Sequence, residues 1–284
     1  MKQSKFKIGI LSLFLSLGLV FTNCQRDDDN LLANEPITVE DAEVVADVDE
    51  VSEGVIDLVD QLYVEDGMMG NRMEFTSFFP NCGTRTIKWD TAELMKTVTL
   101  DFGNGCTLHN GNFVKGKITI VFNKNRDLLS HTITVKYENF YFNSKKVEGT
   151  TSVERLASNA NGNPQSKVKI NLKITFADGL YVERESVKVR EMIAGKATLG
   201  VWNDNVFLIT GNWTTVFKNG TIHKGEIITP LRREMTCKFI VSGTIKVVKN
   251  NKTGTIDFGN GACDHFATFT SENSYVKEII LGKR

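Results

Sequence analysis

From residue 74 onward, apolar and polar residues alternate with a period of two, and this alternation limits the chain to a few architectures. The clearest stretch places apolar side chains at Val168, Ile170, Leu172, Ile174 and Phe176, with polar residues between them. Such alternation predicts strands of antiparallel sheets that bury one face and expose the other to water. Because the lysines between these apolar positions fall on the opposite parity, we expect them on the solvated face.

Turn signals separate the predicted strands. Residues 159–164 form a longer polar loop. The sequence predicts about 12 to 14 antiparallel strands joined by short turns, in a mainly β fold. A meander, a sandwich and a partly closed barrel all agree with this pattern. The predicted hairpin turns are Asn143-Ser144, Asp178-Gly179, Asn219-Gly220, Asn250-Asn251 and Asn260-Gly261.

One amphipathic α-helix is predicted before the strands, over residues 38–66. Thr38 followed by Asp41 resembles a capping box at its start. An apolar stripe needs an apolar surface, which the β domain of the same chain, a partner's groove or a membrane interface would supply. The acidic residues off the stripe argue against the membrane. The stripe consists of Val44, Val48, Val51, Val55, Leu58 and Leu62.

The net charge of zero hides a strong asymmetry. Residues 25–66 carry 15 acidic residues and one basic residue, whereas residues 67–284 carry 30 basic and 19 acidic residues. Either the acidic segment packs on the basic body, or the body meets an anionic partner such as a polysaccharide or lipid headgroups. Nucleic acid is not an expected partner, because the basic residues are spread along the strands and no nucleic-acid motif is present.

The N-terminus carries a targeting signal. Lys2, Lys5 and Lys7 precede an apolar run over residues 8–21, which is too short to span a bilayer, and Cys24 follows. This resembles a bacterial lipoprotein signal, in which Cys24 becomes the first mature residue and carries the lipid. The resemblance implies a signal peptide over residues 1–23 and a lipid-anchored tether over 24–37. The periodicity described above then predicts the acidic helix over 38–66 and the β domain over 67–284.

Asp27, Asp28 and Asp29 follow the cysteine at once. This acidic run is similar to the export signal of surface lipoproteins in the Bacteroidota. Thr91, in Asp90-Thr91-Ala92, resembles a short O-glycosylation site of exported proteins from the same bacteria. Together with the turns described next, these features resemble lipoproteins of flavobacteria and their relatives. The resemblance implies an outer-membrane, cell-surface location and brings no catalytic residue or known ligand.

An internal duplication organises the cysteines. The motif Asp-Phe-Gly-Asn-Gly occurs at residues 101–105 and again at 257–261, each time just before a cysteine. Four cysteines of an exported chain allow three disulfide pairings. Since each copy of the motif has one cysteine upstream, we expect pairing within each copy. The expected disulfides are Cys82–Cys106 and Cys237–Cys263.

The sequence shows no catalytic or metal-binding constellation. The Asp-Phe-Gly triplet lacks the other kinase motifs, the turns lack the spacing of a calcium loop, and the four histidines lack metal-ligand spacing. We therefore expect no cofactor and no metal. The aromatic residues either stack on sugar rings or pack beneath the sheet. They are Phe140, Tyr141, Phe142, Trp202 and Trp213.

These features predict a lipid-anchored envelope protein with a non-catalytic binding or structural role. The expected contacts are the membrane, through the lipid, and an anionic glycan or another envelope protein. The alternatives are an enzyme acting on polysaccharide and a lipid carrier with an apolar cavity. A glycan binder should expose a row of aromatic residues, an enzyme should have a cleft with converging titratable groups, and a carrier should have an apolar cavity.

Overall fold

A computed structural model describes residues 35–81, 83–123 and 130–283. The described chain begins with one long helix, α1 (Val39–Gly70), and continues as fourteen strands with a short 3₁₀ helix, η1 (Trp202–Asp204), between β8 and β9. The strands are β1 (Thr84–Asp90), β2 (Met95–Asp101), β3 (Cys106–Thr107), β4 (Phe113–Asn123), β5 (Ser130–Phe142), β6 (Lys145–Leu156), β7 (Gln165–Thr175), β8 (Tyr181–Ala194), β9 (Val206–Phe217), β10 (Ile222–Glu234), β11 (Ser242–Lys249), β12 (Lys252–Asn260), β13 (Phe266–Ser271) and β14 (Val276–Ile280).

All fourteen strands belong to one antiparallel sheet. The order follows the chain from β1 to β14, except that the two-residue β3 pairs with β4 beside this path. β1 and β14 are the two edges and do not pair with each other, so the sheet is an open meander. The prediction of a mainly β, antiparallel fold with one N-terminal helix is confirmed, and among the predicted arrangements the meander is correct.

Four of the five predicted hairpin turns lie between consecutive strands, whereas the fifth, Asn260-Gly261, begins at the last residue of β12. Asn143 and Ser144 join β5 to β6, with φ angles of 47° and 69°. Asn250 and Asn251 join β11 to β12, with φ angles of 50° and 64°. Two positive φ angles in a two-residue connection are the geometry that fits the twist of paired strands, which explains why asparagine occupies these turns.

Register shifts occur at six strand pairs and help the sheet to curl. Between β4 and β5 the shift falls at Gly116, which has a φ of 80°. A Cβ at this position would lie 2.0 Å from the backbone oxygen of Asn139, so only glycine fits.

The helix lies in the concavity of this curled sheet. Thr38 caps it: its Oγ1 accepts a hydrogen bond from the Asp41 amide at 3.1 Å, and Asp41 Oδ2 accepts one from the Thr38 amide at 3.0 Å. The helix continues four residues beyond Asp66, to Gly70. Residues 42–63 are buried on every side of the helix. The helix therefore forms the axis of the fold.

Two apolar clusters fill the space between the helix and the sheet. The predicted stripe from Val44 to Leu62 packs in the larger cluster, mainly against inward-facing residues of β2 to β8. The smaller cluster joins Ala42, Val45 and Ala46 to strands β9 to β14. Of the sites considered for the apolar stripe, the β domain of the same chain is the one that the structure shows.

One predicted strand differs from the structure. Cys237, Phe239, Val241, Ile245 and Val247 share one parity in the sequence, which predicts a strand from Cys237 onward, but β11 begins at Ser242. Residues 237–241 form an irregular connection after β10, in which the Cys237 amide donates to the Glu234 carbonyl at 3.0 Å. Phe239 and Val241 are buried, and Phe239 packs in the smaller cluster. The alternation therefore reflects side chains that are buried in a loop over the helix and not in a strand.

Within the described ranges, no helix combines the length and the apolar character that crossing a membrane requires. The predicted signal peptide lies outside those ranges.

Candidate functional site

Nine charged side chains, eight of them buried, join the helix to the sheet, and we call them the ion-pair ladder. Its acidic members are Asp49, Glu53, Asp57 and Asp60. They recur every three or four residues and therefore share one helix face. Its basic members are Arg155 from β6, Arg184, Lys188 and Arg190 from β8, and Arg233 from β10.

The ladder is continuous, because its central cations each bridge two carboxylates. Lys188 Nζ lies 2.8 Å from Asp49 Oδ1 and 2.9 Å from Glu53 Oε1. Arg190 donates from Nη1 to Glu53 Oε2 and from Nη2 to Asp57 Oδ1, both at 2.6 Å. Arg190 Nε also lies 3.8 Å from Asp60 Oδ2, which joins the Arg155–Asp60 pair to the rest of the ladder. The remaining contacts are Arg184 with Asp49 at 3.1 Å and Arg233 with Asp57 at 2.8 Å.

The pKa shifts show how strongly the members depend on one another. Burial alone would raise the pKa of Glu53, but Lys188 and Arg190 outweigh burial and lower it to about 2. Burial also opposes the charged form of Lys188, yet Asp49 and Glu53 raise its pKa. At the two ends of the ladder burial outweighs the partners instead, since it raises the pKa of Asp60 and lowers that of Arg184. The mutual stabilisation of charge is therefore strongest at the centre of the ladder.

The geometry of the ladder indicates a structural role. Eight of its side chains are at most 5% exposed, and only Arg155, at 16%, reaches further toward solvent. A catalytic carboxylate must contact its substrate, and these carboxylates contact arginine and lysine instead. Converging titratable groups are thus present, but in the interior of the fold.

The ladder was missed from the sequence, although a signal was present. Arg184, Lys188 and Arg190 share the parity of Val182 and Met192, and all five side chains are buried. Basic residues on the apolar parity of a strand, together with an acidic helix, indicate inward-facing charge. The prediction that lysines face solvent holds for positions such as Lys169, but part of the basic charge lies inside.

Other acidic residues of the helix anchor further segments of the chain. Lys96 Nζ contacts Asp66 Oδ1 at 2.6 Å, which joins the end of the helix to β2. Glu65 accepts hydrogen bonds from the Phe78 amide at 2.7 Å and from Arg85 at 2.8 Å. Of the two alternatives for the charge asymmetry, packing of the acidic segment against basic residues of the body is what the structure shows.

The second predicted disulfide is present. Cys237 and Cys263 are bonded, with 26 residues of sequence separation. Cys106 is also disulfide-bonded. Its expected partner Cys82 lies outside the described residues, as do the proposed lipidation site Cys24 and the acidic run at 27–29, so those assignments stay predictions.

The two Asp-Phe-Gly-Asn-Gly motifs share one hydrogen bond but differ in structure. In the first copy the residues after Asp101 form a turn that follows β2, whereas in the second copy residues 257–260 are the last residues of β12, where the register with β11 shifts. Asp101 Oδ1 accepts a hydrogen bond from the Gly103 amide at 2.9 Å, and Asp257 Oδ1 accepts one from the Gly259 amide at 2.9 Å. Each aspartate therefore stabilises the backbone of its own copy, as short acidic side chains commonly do. The interpretation of the motif as a strand-ending turn is therefore correct for the first copy, whereas the second copy forms the end of β12 itself.

The aromatic residues considered for sugar stacking are mostly buried. Phe140 and Phe142 are fully buried, and Trp202 and Trp213 are at most 8% exposed. Arg184 lies over the Trp213 ring, with its Cζ 3.7 Å from the centroid. The interpretation that the aromatic side chains pack beneath the sheet is correct for these four. Tyr141 is instead partly exposed, with Lys115 Nζ 4.0 Å from its ring centroid, and one such residue does not make a row for a glycan.

The candidate metal and modification residues occupy different parts of the fold. Within the described residues, one group has metal-ligand geometry, Glu234 with Cys237 and Cys263, and its two cysteines are the disulfide pair. Thr91 is exposed in the turn between β1 and β2. In that turn Asp90 Oδ1 accepts hydrogen bonds from the amides of Ala92 and Glu93, both at 3.0 Å.

A pocket of about 330 Å³ lies at the C-terminal end of the helix, and we call it the terminal pocket. The last turns of the helix form one wall, and the ends of β5 and β6 form another. Its volume is at the lower end of the range for small-molecule sites. Its lining includes the ionisable side chains of Arg155 and His131 and the aromatic or aliphatic side chains of Tyr63, Met68, Met73, Leu156 and Leu199.

Comparisons of the chain with protein-family models, with curated proteins and with solved structures find no match.

Proposed function

We propose that this chain is a lipid-anchored protein of the outer membrane, displayed at the cell surface, with a non-catalytic binding role. The lipoprotein signal ending at Cys24 and the acidic run at 27–29 support the location. Under this proposal residues 24–37 tether the fold to the lipid. The resemblance to lipoproteins of flavobacteria supports the same location.

The observation that carries the binding role is the position of the terminal pocket. The tether joins the helix at Thr38, and the pocket includes Tyr63, which lies 24 residues beyond the first helical residue Val39. At 1.5 Å per residue this separation is about 36 Å along the helix axis. The helix therefore presents the pocket at the end of the fold remote from the tether, where a ligand outside the membrane would meet it.

The charge arrangement favours a small-molecule ligand over an anionic glycan. Part of the basic charge of the body is used inside the fold, where Arg184 and Arg190 neutralise carboxylates of the helix. The charge available to attract a polyanion at the surface is correspondingly smaller. The terminal pocket supports the carrier alternative, in which an apolar molecule is held by the protein.

Metabolic labelling with a fatty acid tests the anchor, and protease treatment of intact cells tests the location. We expect the wild type to be labelled and degraded, Cys24→Ala to lose the label, and the triple variant Asp27→Ala, Asp28→Ala and Asp29→Ala to stay labelled but become protected. Labelling that persists in Cys24→Ala would refute the anchor. Protection of the wild type would refute surface display and leave a periplasmic protein.

A further inference from the structure

We propose that the terminal pocket binds a small amphiphilic carboxylate, with its apolar chain against the carbon-lined walls and its carboxylate at Arg155. This inference rests on the proposed binding role and specifies its ligand.

The walls of the pocket fit an apolar group. Tyr63, Leu156 and Leu199 supply aromatic and aliphatic carbon, and Met68 and Met73 supply flexible thioether side chains that adapt to irregular shapes. A dry cavity of about 150 Å³ holds one benzene molecule. A pocket of about 330 Å³ therefore accommodates an apolar group of up to roughly twice that size.

The electrostatics of the pocket select the sign of the ligand's charge. The ion-pair ladder contains five basic and four acidic residues, so it carries one surplus positive charge. Arg155 stands at the pocket end of the ladder and is its most exposed member. Its guanidinium pairs with Asp60 and stacks over the Tyr63 ring, with Cζ 5.0 Å from the centroid. An arginine fixed in this way is preorganised to receive a second carboxylate.

The helix C-terminus, which also borders the pocket, does not reverse this preference. A helix end normally carries a partial negative charge because its last carbonyls lack partners. Here the Gly67 carbonyl accepts from the Asn71 amide at 3.1 Å, and the Met68 carbonyl accepts from the Met73 amide at 2.9 Å. The turn after the helix thus satisfies carbonyls that would otherwise repel an anion.

The mouth of the pocket is open to solvent at apolar residues. Met73 is 53% exposed and Leu199 is 38% exposed. Large side chains of this kind at a pocket mouth lose their contact with water when an apolar chain enters, which favours binding.

Calorimetric titration of the full chain carrying Cys24→Ala, which removes the proposed lipid attachment, tests the inference. The probes are octanoate, 1-octanol and octyltrimethylammonium, which share one apolar chain and differ in head-group charge. We expect octanoate to bind at least tenfold more tightly than either other probe. Equal affinities, tighter binding of the cation, or the absence of octanoate binding would overturn the proposal.

Variants locate the binding. Ala157 lines the pocket, whereas its neighbour Ser158 is exposed and does not, so Ala157→Trp should weaken octanoate binding at least tenfold and Ser158→Trp should leave it unchanged. Arg155→Gln should remove the preference for octanoate over 1-octanol while 1-octanol still binds. If Arg155→Gln does not fold, Ala157→Trp and Ser158→Trp still test where octanoate binds. Equal effects of these two substitutions on octanoate affinity would show that octanoate binds outside the pocket.

Failure of this inference is distinguishable from failure of the proposed location. The titrations use a purified chain that lacks the lipid, whereas labelling and protease treatment use cells. Octanoate binding by a protein that is not labelled would retain the ligand class and reject the anchor. A labelled, surface-exposed protein without octanoate binding would retain the anchor and reject the ligand class.

Discussion

The helix buries two faces of opposite chemistry, and each meets a different part of the sheet. The apolar stripe, which includes Val55 and Leu58, packs on carbon in the larger cluster. The acidic face packs on arginine and lysine of β8 and β10. Apolar contacts tolerate small rotations and shifts, whereas ion pairs with hydrogen-bond geometry do not. We therefore assign most of the stabilisation to the stripe and the position of the helix in the sheet to the ladder.

The energetic reason for this division lies in desolvation. Apolar burial contributes roughly 25 cal/mol per Å² removed from water. A buried ion pair recovers in attraction about what it loses in hydration, so its net contribution is small while its loss is severe. Truncating a buried side chain on either face should therefore destabilise the protein. A second substitution that removes an unpaired charge should recover stability only when the first substitution is on the acidic face.

Arg190→Met should produce the largest effect. The change leaves Glu53 and Asp57 buried with fewer cations, and breaking a buried pair in this way costs about 3 to 5 kcal/mol of unfolding free energy. Urea denaturation followed by circular dichroism measures the loss. The double variant Arg190→Met with Glu53→Gln should recover part of it, because it removes one of the two stranded charges.

The control for this experiment is an exposed ion pair. Lys146 Nζ contacts Glu148 at 2.7 Å on the outer face of β6. Lys146→Met should leave the denaturation midpoint unchanged, because surface pairs of this kind contribute little. Equal effects of Arg190→Met and Lys146→Met would show that the ladder does not hold the helix.

Leu58→Ala measures the apolar face. Leu58 is fully buried, and truncation of such a leucine costs about 2 to 5 kcal/mol through lost apolar burial and the cavity left behind. The same denaturation experiment applies, with Met69→Ala as the control, because Met69 is 39% exposed on the same helix. Adding a substitution that removes a charge should not restore the stability lost in Leu58→Ala. Rescue by Glu53→Gln would contradict the division between the two faces.

His223 separates the two faces further, because only contacts of the acidic face contain groups that titrate. Its Nε2 lies 3.7 Å from Asp41 Oδ1 of the helix, and its protonation should make the stability of the protein depend on pH. His223 is buried beside Phe217, and burial lowers its pKa to about 4, although Asp41 partly opposes the shift and Lys249 and Arg184 add to it. The unfolded chain therefore binds the proton first as pH falls below about 6.5. Stability should drop by up to about 3 kcal/mol between pH 7 and pH 4 from this residue.

The difference between the wild type and His223→Phe isolates this contribution. Burial raises the pKa of Glu50 and of Asp60, and these groups act in the opposite direction because the folded state binds their protons more tightly. The wild type and His223→Phe both contain Glu50 and Asp60, so the contributions of these two residues cancel when the stabilities of the two proteins are subtracted. Denaturation at several pH values should give a flatter decline for His223→Phe. Parallel curves for the two proteins would exclude His223 as a source of acid sensitivity.

Local signals predicted the strands, and non-local chemistry explains what they missed. Alternation and the turns at residues 143–144 and 250–251 act over a few residues, so the strand count and hairpins could be inferred. The ladder pairs residues 95 to 176 positions apart, from Arg155 with Asp60 to Arg233 with Asp57. No local sequence pattern predicts that a helix residue and a strand residue so far apart in the chain are in contact. The terminal pocket depends on the same distant packing.

Gly54 shows packing overriding local preference on the helix. Alanine is favoured over glycine inside a helix by about 1 kcal/mol. A Cβ at Gly54, however, would lie 2.1 Å from Cζ of the fully buried Phe142 in β5. We expect Gly54→Ala to destabilise the protein by about 1 to 2 kcal/mol in thermal denaturation. The double variant Gly54→Ala with Phe142→Leu should lose less than the two single changes combined, and strict additivity would mean that this close approach is not the cause.

Thr38→Ala should have the smallest effect, because it removes one hydrogen bond at the start of the helix and no buried contact. Loss of such a cap costs about 1 kcal/mol, and Thr38→Ser, which keeps the hydroxyl, should restore the wild-type midpoint in thermal denaturation. Next to the cap, Ile37 is 4% exposed and Ala42 is fully buried, so packing also holds this end. If Thr38→Ala has no effect, packing alone determines where the helix begins, and the capping box predicts that boundary without contributing to its stability.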